Sequence, residues 1–359
     1  MSIQILTANR PRLPAVARGT SDNGSPMTCV LYVYSRKTAF TDIDRAALRE
    51  RFEVVEYYQP GLRVRPLELV AKLRRADVVF GWHASWHTFA ALTLARVMRK
   101  PTVLVIGGFD TARLPEIGYG AQRPGVRRWF TRRTIARATR LITNSRYSMR
   151  EIEANLGLGP DRVTLVYHGI PDRFGDPGSA AEPERMALSV GVVYGLNLER
   201  KGQRPFTQAA AHLPDVQFVL VGKWLDGAID ELRAVAGPNV TFTGYLDDGT
   251  LDSYFRRAGV YVQPSRHEGF GLAVAEAMLA RCVPVVTDAG ALLEVVGDTG
   301  VVIAEPEARQ VADGIRRALE LGPEAGERAR RRVLERFPYE MRRDGICREV
   351  EAALDGKRP

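Results

Sequence analysis

The sequence predicts an α/β protein built from two parallel-sheet domains. Three observations carry that expectation. Short, nearly uniform apolar runs alternate with longer helical stretches along the chain, and uniform apolarity marks strands buried on both faces. The alternation stops once, over 172–187 (DRFGDPGSAAEPERMA), where Pro, Gly, Ala and Glu dominate. The length of 359 residues suits about two domains. The expected layout is an extension over 1–26, a first domain over 27–171, a linker over 172–187, a second domain over 188–337 and a last helical segment over 338–359.

Residues 1–26 are rich in Pro, Arg, Gly and Ser and lack the apolar centre of a secretory signal. They read as a disordered extension, or as a start placed too early, since Met27 directly precedes the first strand. The first strand, 29–35 (CVLYVYS), reads as a buried strand. Further strands are expected at 53–58, 77–81, 102–106, 140–143 and 163–167, with helices over 43–51, 66–75, 88–98, 126–138 and 147–156 between them. The second series has strands at 188–195, 216–221, 239–243, 259–262, 283–287 and 300–303. Helices are expected at 203–213, 227–235, 249–258, after Gly271, at 291–296 and at 307–321. Residues 324–354 read as one or two amphipathic helices broken near Phe337-Pro338, because proline cannot continue a helix. In such sheets ligands bind beyond the strand C-termini, where most of the unusual residues fall.

Composition narrows the class without naming a partner. Apolar residues are 45% and charged residues 26%, ordinary for a globular protein with a full core. Lys and Arg number 51 against 42 acids, a net +9 that suits nucleic acid, an anionic membrane or phosphorylated substrates alike. Cys29, Cys282 and Cys347 lie far apart with no metal-site spacing, so a reducing cytoplasm is the simplest setting. No apolar run approaches a membrane span. Residues 117–150 hold nine arginines and no acid, with Trp129 and Phe130 among them. Two readings of that run stand side by side: a solvated basic helix with two core anchors, or a surface for a membrane or an anionic lipid-linked acceptor. Nucleic acid is disfavoured, since no recognition motif accompanies the charge.

The chemistry concentrates in 263–288 (QPSRHEGFGLAVAEAMLARCVPVVTD). Glu268 precedes Gly269-Phe270-Gly271, and Glu276 lies in the helix that follows. Unpaired N–H groups near Gly271 and Leu272 at that helix start attract an anion. An anion flanked by two carboxylates that accept hydroxyls describes a ligand that is part phosphate and part polyol, such as a nucleotide sugar. His83, His87 and His168 sit at strand ends of the first half. A metal there would need at least three converging ligands, and the neighbouring Trp82 and Trp86 favour a packed loop near an acceptor.

The run HEGFGLAVAEAM resembles the E-x7-E signature of retaining GT-B glycosyltransferases, chiefly glycosyltransferase family four. Val219-Leu220-Val221-Gly222, Thr243-Gly244-Tyr245, Pro284-Val285-Val286-Thr287 and Glu294-Val295-Val296 fall in the matching order, so the resemblance covers most of 188–305. Residues 106–120 and the terminal FPYEMR resemble a subgroup of the same family. The resemblance implies a GT-B fold: two Rossmann-like domains facing a cleft, acceptor side first and donor-nucleotide side second, with the C-terminal helix crossing back to the first. It implies that Glu268 meets hydroxyls of the donor sugar and Glu276 those of the ribose. It turns Phe270, Gly271 and Leu272 toward sugar and diphosphate, and gives Gly244 and Tyr245 the base. Lys201-Gly202 matches the family's Lys-Gly element on the diphosphate; the companion Arg position falls on Leu196, and Arg200 is the nearest substitute. Where the family often has a sugar-facing histidine, this chain has Gly107-Gly108, so Asp110, Gly108, His83 and His168 become the acceptor or sugar contacts.

The activity so implied is retaining hexosyl transfer from a UDP-, GDP- or ADP-sugar to a glycan, lipid-linked or small-molecule acceptor. It needs no metal and no cofactor beyond the donor, and is set in the cytoplasm, in part against the inner membrane face. The alternative is a non-catalytic nucleotide-sugar-binding protein of the same fold that supports a partner. A sugar-nucleotide epimerase is disfavoured by the motif.

Overall fold

The computed structural model describes residues 27–175 and 182–356, so the expected extension over 1–26 and the middle of the expected linker lie outside the described residues. The chain forms two compact units: residues up to Gly169 together with those from Glu340 onward, and Ile170–Tyr339.

The first unit runs β1 (Cys29–Tyr34), α1 (Ala39–Arg49), β2 (Glu53–Tyr58), α2 (Pro66–Arg75), β3 (Val78–Trp82), α3 (Trp86–Val97), β4 (Thr102–Val105), α4 (Val126–Ile135), β5 (Arg140–Thr143), α5 (Arg146–Leu156) and β6 (Thr164–Leu165). Its sheet is parallel in the order β2-β1-β3-β4-β5-β6. β1 and β3 are buried along their whole length, as their uniform apolarity requires. Two elements depart from the sequence expectation. α1 starts at Ala39, ahead of the expected 43, because Thr38 and Thr41 form a reciprocal capping box. β6 is short because the Val166 carbonyl leaves the ladder to accept from Arg342 Nη1 at 2.6 Å.

The second unit runs β7 (Glu184–Val190), α6 (Gly195–Arg200), α7 (Gln203–Ala209), β8 (Gln217–Val221), α8 (Ala228–Val235), β9 (Val240–Gly244), α9 (Asp248–Arg257), β10 (Ala258–Gln263), α10 (Leu272–Leu279), β11 (Val283–Thr287), α11 (Leu292–Val296), β12 (Val301–Ile303), α12 (Ala308–Glu320) and α13 (Gly322–Arg336). Its sheet is also parallel, in the order β12-β11-β10-β7-β8-β9. β7 begins four residues before the apolar run at 188, since Glu184 already pairs in register with Ala258 while its side chain stays exposed. Phe206, Phe218, Leu232, Val260, Val285 and Ile315 fill one face of this sheet. Each such fully buried side chain contributes roughly 2 kcal/mol relative to exposure.

The helices break at Phe337-Pro338, and α14 (Tyr339–Leu354) follows. From Glu340 on it belongs to the first unit. Its anchor is Arg342, fully buried, which grips the equally buried Asp44 of α1 through Nε and Nη2 at 2.9 and 2.7 Å. Trp82 Nε1 donates to the same carboxylate at 3.0 Å. A second pair, Arg140 with Glu349 at 2.6 Å, lies further along α14.

Candidate functional site

The second unit's sheet reverses its order between β7 and β10, with β8 and β9 on one side and β11 and β12 on the other. Loops leaving the C-terminal ends of two such strands part from each other and leave a crevice. The loop after β7 runs through α6 to Lys201; the loop after β10 carries Glu268. Backbone contacts tie the two loops together. The Arg266 N–H donates to the Arg200 carbonyl at 2.8 Å. Gly202, at φ +65, lies so close to Pro264 that a Cβ there would come within 2.1 Å of its carbonyl oxygen. Lys201 thereby reaches Glu268: its Nζ donates to Oε2 at 2.9 Å, and Gln263 Nε2 donates to the same oxygen at 2.8 Å.

Both partners are mostly buried, with side chains 19% and 16% exposed. Burial opposes the charged form of Glu268, but Lys201 and Arg200 outweigh it and hold the carboxyl at about 2. Burial pulls the Lys201 ammonium below its ordinary value, with Glu268 working in the opposite direction. Arg200, the expected substitute for the missing Arg, is buried: it donates to Asn197 Oδ1 through Nε and Nη2 at 3.1 and 2.8 Å, and to the His267 carbonyl at 3.3 Å. Leu196 stands half-buried on the same short helix.

Gly271, at φ 101, ends the Glu268 loop, and no side chain caps α10 behind it. Phe270 is buried against Phe337, its ring centroid 5.3 Å away at right angles. Glu276 is buried one turn into α10 and accepts from Arg173 Nη1 at 2.8 Å. Arg173 also donates through Nε to Asp252 at 2.7 Å and lies over the rings of Phe174 and Phe255. Burial disfavours its charge, but Glu276 and Asp252 more than compensate and raise its pKa. The sequence reading missed Arg173, which hides in a stretch with no periodicity. Its flanks offered the only signal, an acid on one side and an aromatic on the other: Asp172 pairs with Arg330 at 2.5 Å, and Phe174 is buried. Gly244 closes β9 at φ +73 with its carbonyl taken by the Gly222 N–H at 2.9 Å, and Tyr245 beside it is 44% exposed.

In the first unit the strand-end residues separate into two groups. His83, after β3, and Asp110, in the turn Gly108–Asp110 after β4, come together: Nδ1 meets Oδ2 at 2.9 Å. Asp110 is buried, the imidazole is partly exposed, and His83 holds φ +67, an uncommon conformation for a non-glycine residue. His168 is buried, stacked on Trp82 with centroids 5.8 Å apart, and its Nε2 meets Asn144 Nδ2 at 3.1 Å. Burial, with Arg342 and His83 adding to it, lowers its pKa well below the ordinary imidazole value. His87 is also buried, donates to the Trp82 carbonyl at 2.8 Å, and is held at about 4 chiefly by burial. Gly107 stands where the resemblance led to a histidine, and a Cβ there would meet Asn144 Oδ1 at 2.7 Å. Among the described residues no three His, Cys, Asp or Glu side chains gather to hold a metal ion. No described helix is long and apolar enough to cross a membrane.

Two family models match successive parts of this chain: Glycosyltransferase Family 4 over residues 17–174 and Glycosyl transferases group 1 over 179–334. The chain belongs to the glycosyltransferases of family-four type. Glu268, Glu276 and Lys201 lie in the second match; Arg173, His83 and Asp110 lie in the first. Among curated glycosyltransferases, a lipopolysaccharide core biosynthesis mannosyltransferase of Rhizobium leguminosarum is 34% identical over 36% of this chain and 38% of its own. A phosphatidyl-myo-inositol mannosyltransferase of Mycobacterium tuberculosis is 37% identical over 45% of this chain and 46% of its own. The chain spans about half the length of the curated relatives it matches. In fold it is similar to Anabaena HepE in complex with UDP, with TM-score 0.73 at 18% identity over 91% of this chain and 100% of that one. It is likewise similar to sucrose-phosphate synthase of Thermosynechococcus elongatus, with TM-score 0.71 at 19% identity over 91% and 100%. Those likenesses establish the GT-B fold.

Proposed function

We propose that this glycosyltransferase moves a hexosyl group from a nucleotide sugar to a hydroxyl acceptor with retention of configuration. The observation that carries the proposal is the Lys201–Glu268 pair at the order reversal of the second sheet, beside the uncapped start of α10. Glu268, ionised over the whole physiological range, accepts hydroxyls of the donor sugar. Glu276 accepts those of the ribose, and Arg173 holds it in place. Phe270, Gly271 and Leu272 give the diphosphate backbone N–H groups at a helix N-terminus. Lys201 has donors left beyond the one on Glu268 and stabilises the leaving diphosphate. The Gly244–Tyr245 turn receives the base.

The bond from the anomeric carbon to the phosphate oxygen breaks, and its electron pair leaves with the diphosphate. The acceptor oxygen bonds to the same face of the sugar, and its proton passes to the departing phosphate oxygen. The protein positions the reactants and stabilises charge. His83 with Asp110 and Gly108 meets the acceptor; His168 supports that loop from inside through Trp82. The mannosyltransferases among its relatives favour a mannosyl donor and a lipid-linked or glycan acceptor.

The test is a panel of UDP-, GDP- and ADP-sugars, read by thermal stabilisation and by slow donor hydrolysis. One donor class should stabilise the protein and be turned over, and Lys201→Ala should lose at least tenfold in turnover, roughly 1.4 kcal/mol or more of transition-state stabilisation. Binding with no turnover, acceptors included, would support the second reading, a non-catalytic nucleotide-sugar binder, which Leu196 and Gly107 favour. No binding to any donor would end both.

A further inference from the structure

Two neighbouring helices of the first unit carry a surface that transfer chemistry leaves unused. α3 and α4 pack side by side, and neither contains an acidic residue. Rings join across their contact: Phe130 lies 4.0 Å from Trp86, 5.3 Å from Phe89 and 4.9 Å from Trp129, centroid to centroid. This cluster is not core. Trp86 is 41% and Trp129 50% exposed; Val126 at the start of α4 and Val97 at the far end of α3 are exposed as well. The two helices and the turn after α4 also carry Arg96, Arg127, Arg128, Arg133 and Arg137, and none of these has an ion-pair partner among the described residues. Arg133 lies over Trp129 at 5.4 Å and Arg137 over Phe89 at 4.5 Å. Between the helices a hollow of about 350 Å³ is lined by Thr93, Arg96, Val97, Arg133, Ala136 and Arg137. It brings three guanidinium groups and a hydroxyl around one space.

In water this arrangement is unfavourable twice over. Like charges crowd without counter-charges, and indole and aliphatic surface stays wet. Both penalties lift at an anionic lipid surface. Indole rings favour the headgroup layer, where one edge is apolar and the other hydrogen-bonded. Arginine forks match phosphate oxygens and gain from the negative surface potential. Exposed Val97 and Val126 favour a hydrocarbon boundary over a nucleic acid, which would offer bases and sugars to stack on but no acyl chains.

We propose that the α3–α4 face of the first unit is a docking surface for an anionic bilayer, with Trp86 and Trp129 entering the headgroup layer and the Arg96–Arg133–Arg137 hollow receiving a lipid phosphate. The proposal deepens the reading of a glycosyltransferase with a lipid-linked acceptor by naming the surface and its partner. Binding is measured without turnover, so it can stand or fall apart from the transfer reaction.

The full-length protein is sedimented with vesicles of phosphatidylcholine alone and of phosphatidylcholine with phosphatidylglycerol. Binding should occur only to the second, weaken with added salt, and blue-shift the tryptophan emission. R133Q/R137Q and Trp129→Ala should each weaken it at least tenfold. The charge-matched control R309Q/R328Q, in exposed positions of the second unit, should change it less than twofold. Donor-induced thermal stabilisation of R133Q/R137Q should match the parent and shows that the variant is folded. Equal binding to neutral vesicles, no binding to either, or equal losses in face and control variants would overturn the proposal. So would displacement from the vesicles by a single-stranded RNA homopolymer, which would mark a nucleic-acid surface instead.

Discussion

Glu268→Gln should cost the second unit stability in a way that depends on pH. In the folded protein the Glu268 carboxyl titrates at about 2, because Lys201 and Arg200 outweigh its burial. The unfolded chain restores the ordinary value near 4.5. A gap of that size corresponds to on the order of 3 kcal/mol. Lys201 stays buried in the variant as in the parent, so its burial does not enter the difference, and about 3 kcal/mol is the working expectation. The folded value lies below the unfolded one, so the contribution is fully present above roughly 4.5 and fades as the pH falls toward 2. Parent and variant should therefore differ most at neutral pH and converge in acid.

Unit-specific unfolding can be read through the cysteines. Cys282 is buried in the second unit, while Cys29 and Cys347 are buried in the first. Pulse-labelling with a disulfide reagent that reacts in acid, across a urea series at several pH values, reports each unit by peptide mass. The Cys282 transition of Glu268→Gln should shift and the other two should not. A Cys282 difference below about 0.5 kcal/mol at neutral pH, or one that stays constant down to pH 3, would refute the assignment of Glu268 as a carboxylate held charged by Lys201.

Three further outcomes follow from the same geometry. Arg173→Ala leaves Glu276 and Asp252 without their shared cation, and should cost about 3 kcal/mol in the Cys282 transition and weaken donor binding, with Arg173→Lys recovering part of both in thermal-shift titrations. Asp44→Ala strands the fully buried Arg342 and should cost about 3–5 kcal/mol, read at Cys29 and Cys347, whereas D44A/R342M should recover most of the loss. Gly202→Ala forces a Cβ against the Pro264 carbonyl at φ +65 and should cost at least about 2 kcal/mol, with turnover falling as Lys201 leaves Glu268, checked by urea unfolding beside donor hydrolysis.

What the sequence made legible was whatever is encoded locally. Uniform apolar runs announce strands buried on both faces, and β1, β3 and β11 lie where such runs fall. Pro338 announces the break before α14. Where local signals were subtler, boundaries moved: the Thr38–Thr41 box starts α1 early, and Arg342 ends β6 by taking the Val166 carbonyl. Arg342 lies 176 residues from that carbonyl, so no pattern around Val166 could announce it.

The same distinction governs the site. Glu268 and Glu276 are visible as a spaced pair, but the cation that each one keeps is not. Lys201 is 67 residues from Glu268, and Arg173 is 103 from Glu276. Only the parallel order of the sheet, with β7 beside β10, brings the first pair together. The departures from the family pattern follow the same logic. Gly107 is a departure in sequence with a correlate in space, since a Cβ there would meet Asn144 Oδ1 at 2.7 Å unless that side chain shifted. Arg200 looks like a replacement for the basic residue missing at Leu196, yet its guanidinium is bound to Asn197 and the His267 carbonyl. Its charge still reaches Glu268, where it helps to hold the carboxylate ionised. A carboxylate has about four lone-pair sites, so one occupied by a cation can still accept hydroxyls. Each acid therefore keeps a cation beside it in a buried setting, and losing Lys201 should raise the pKa of Glu268 before it disturbs the fold around it.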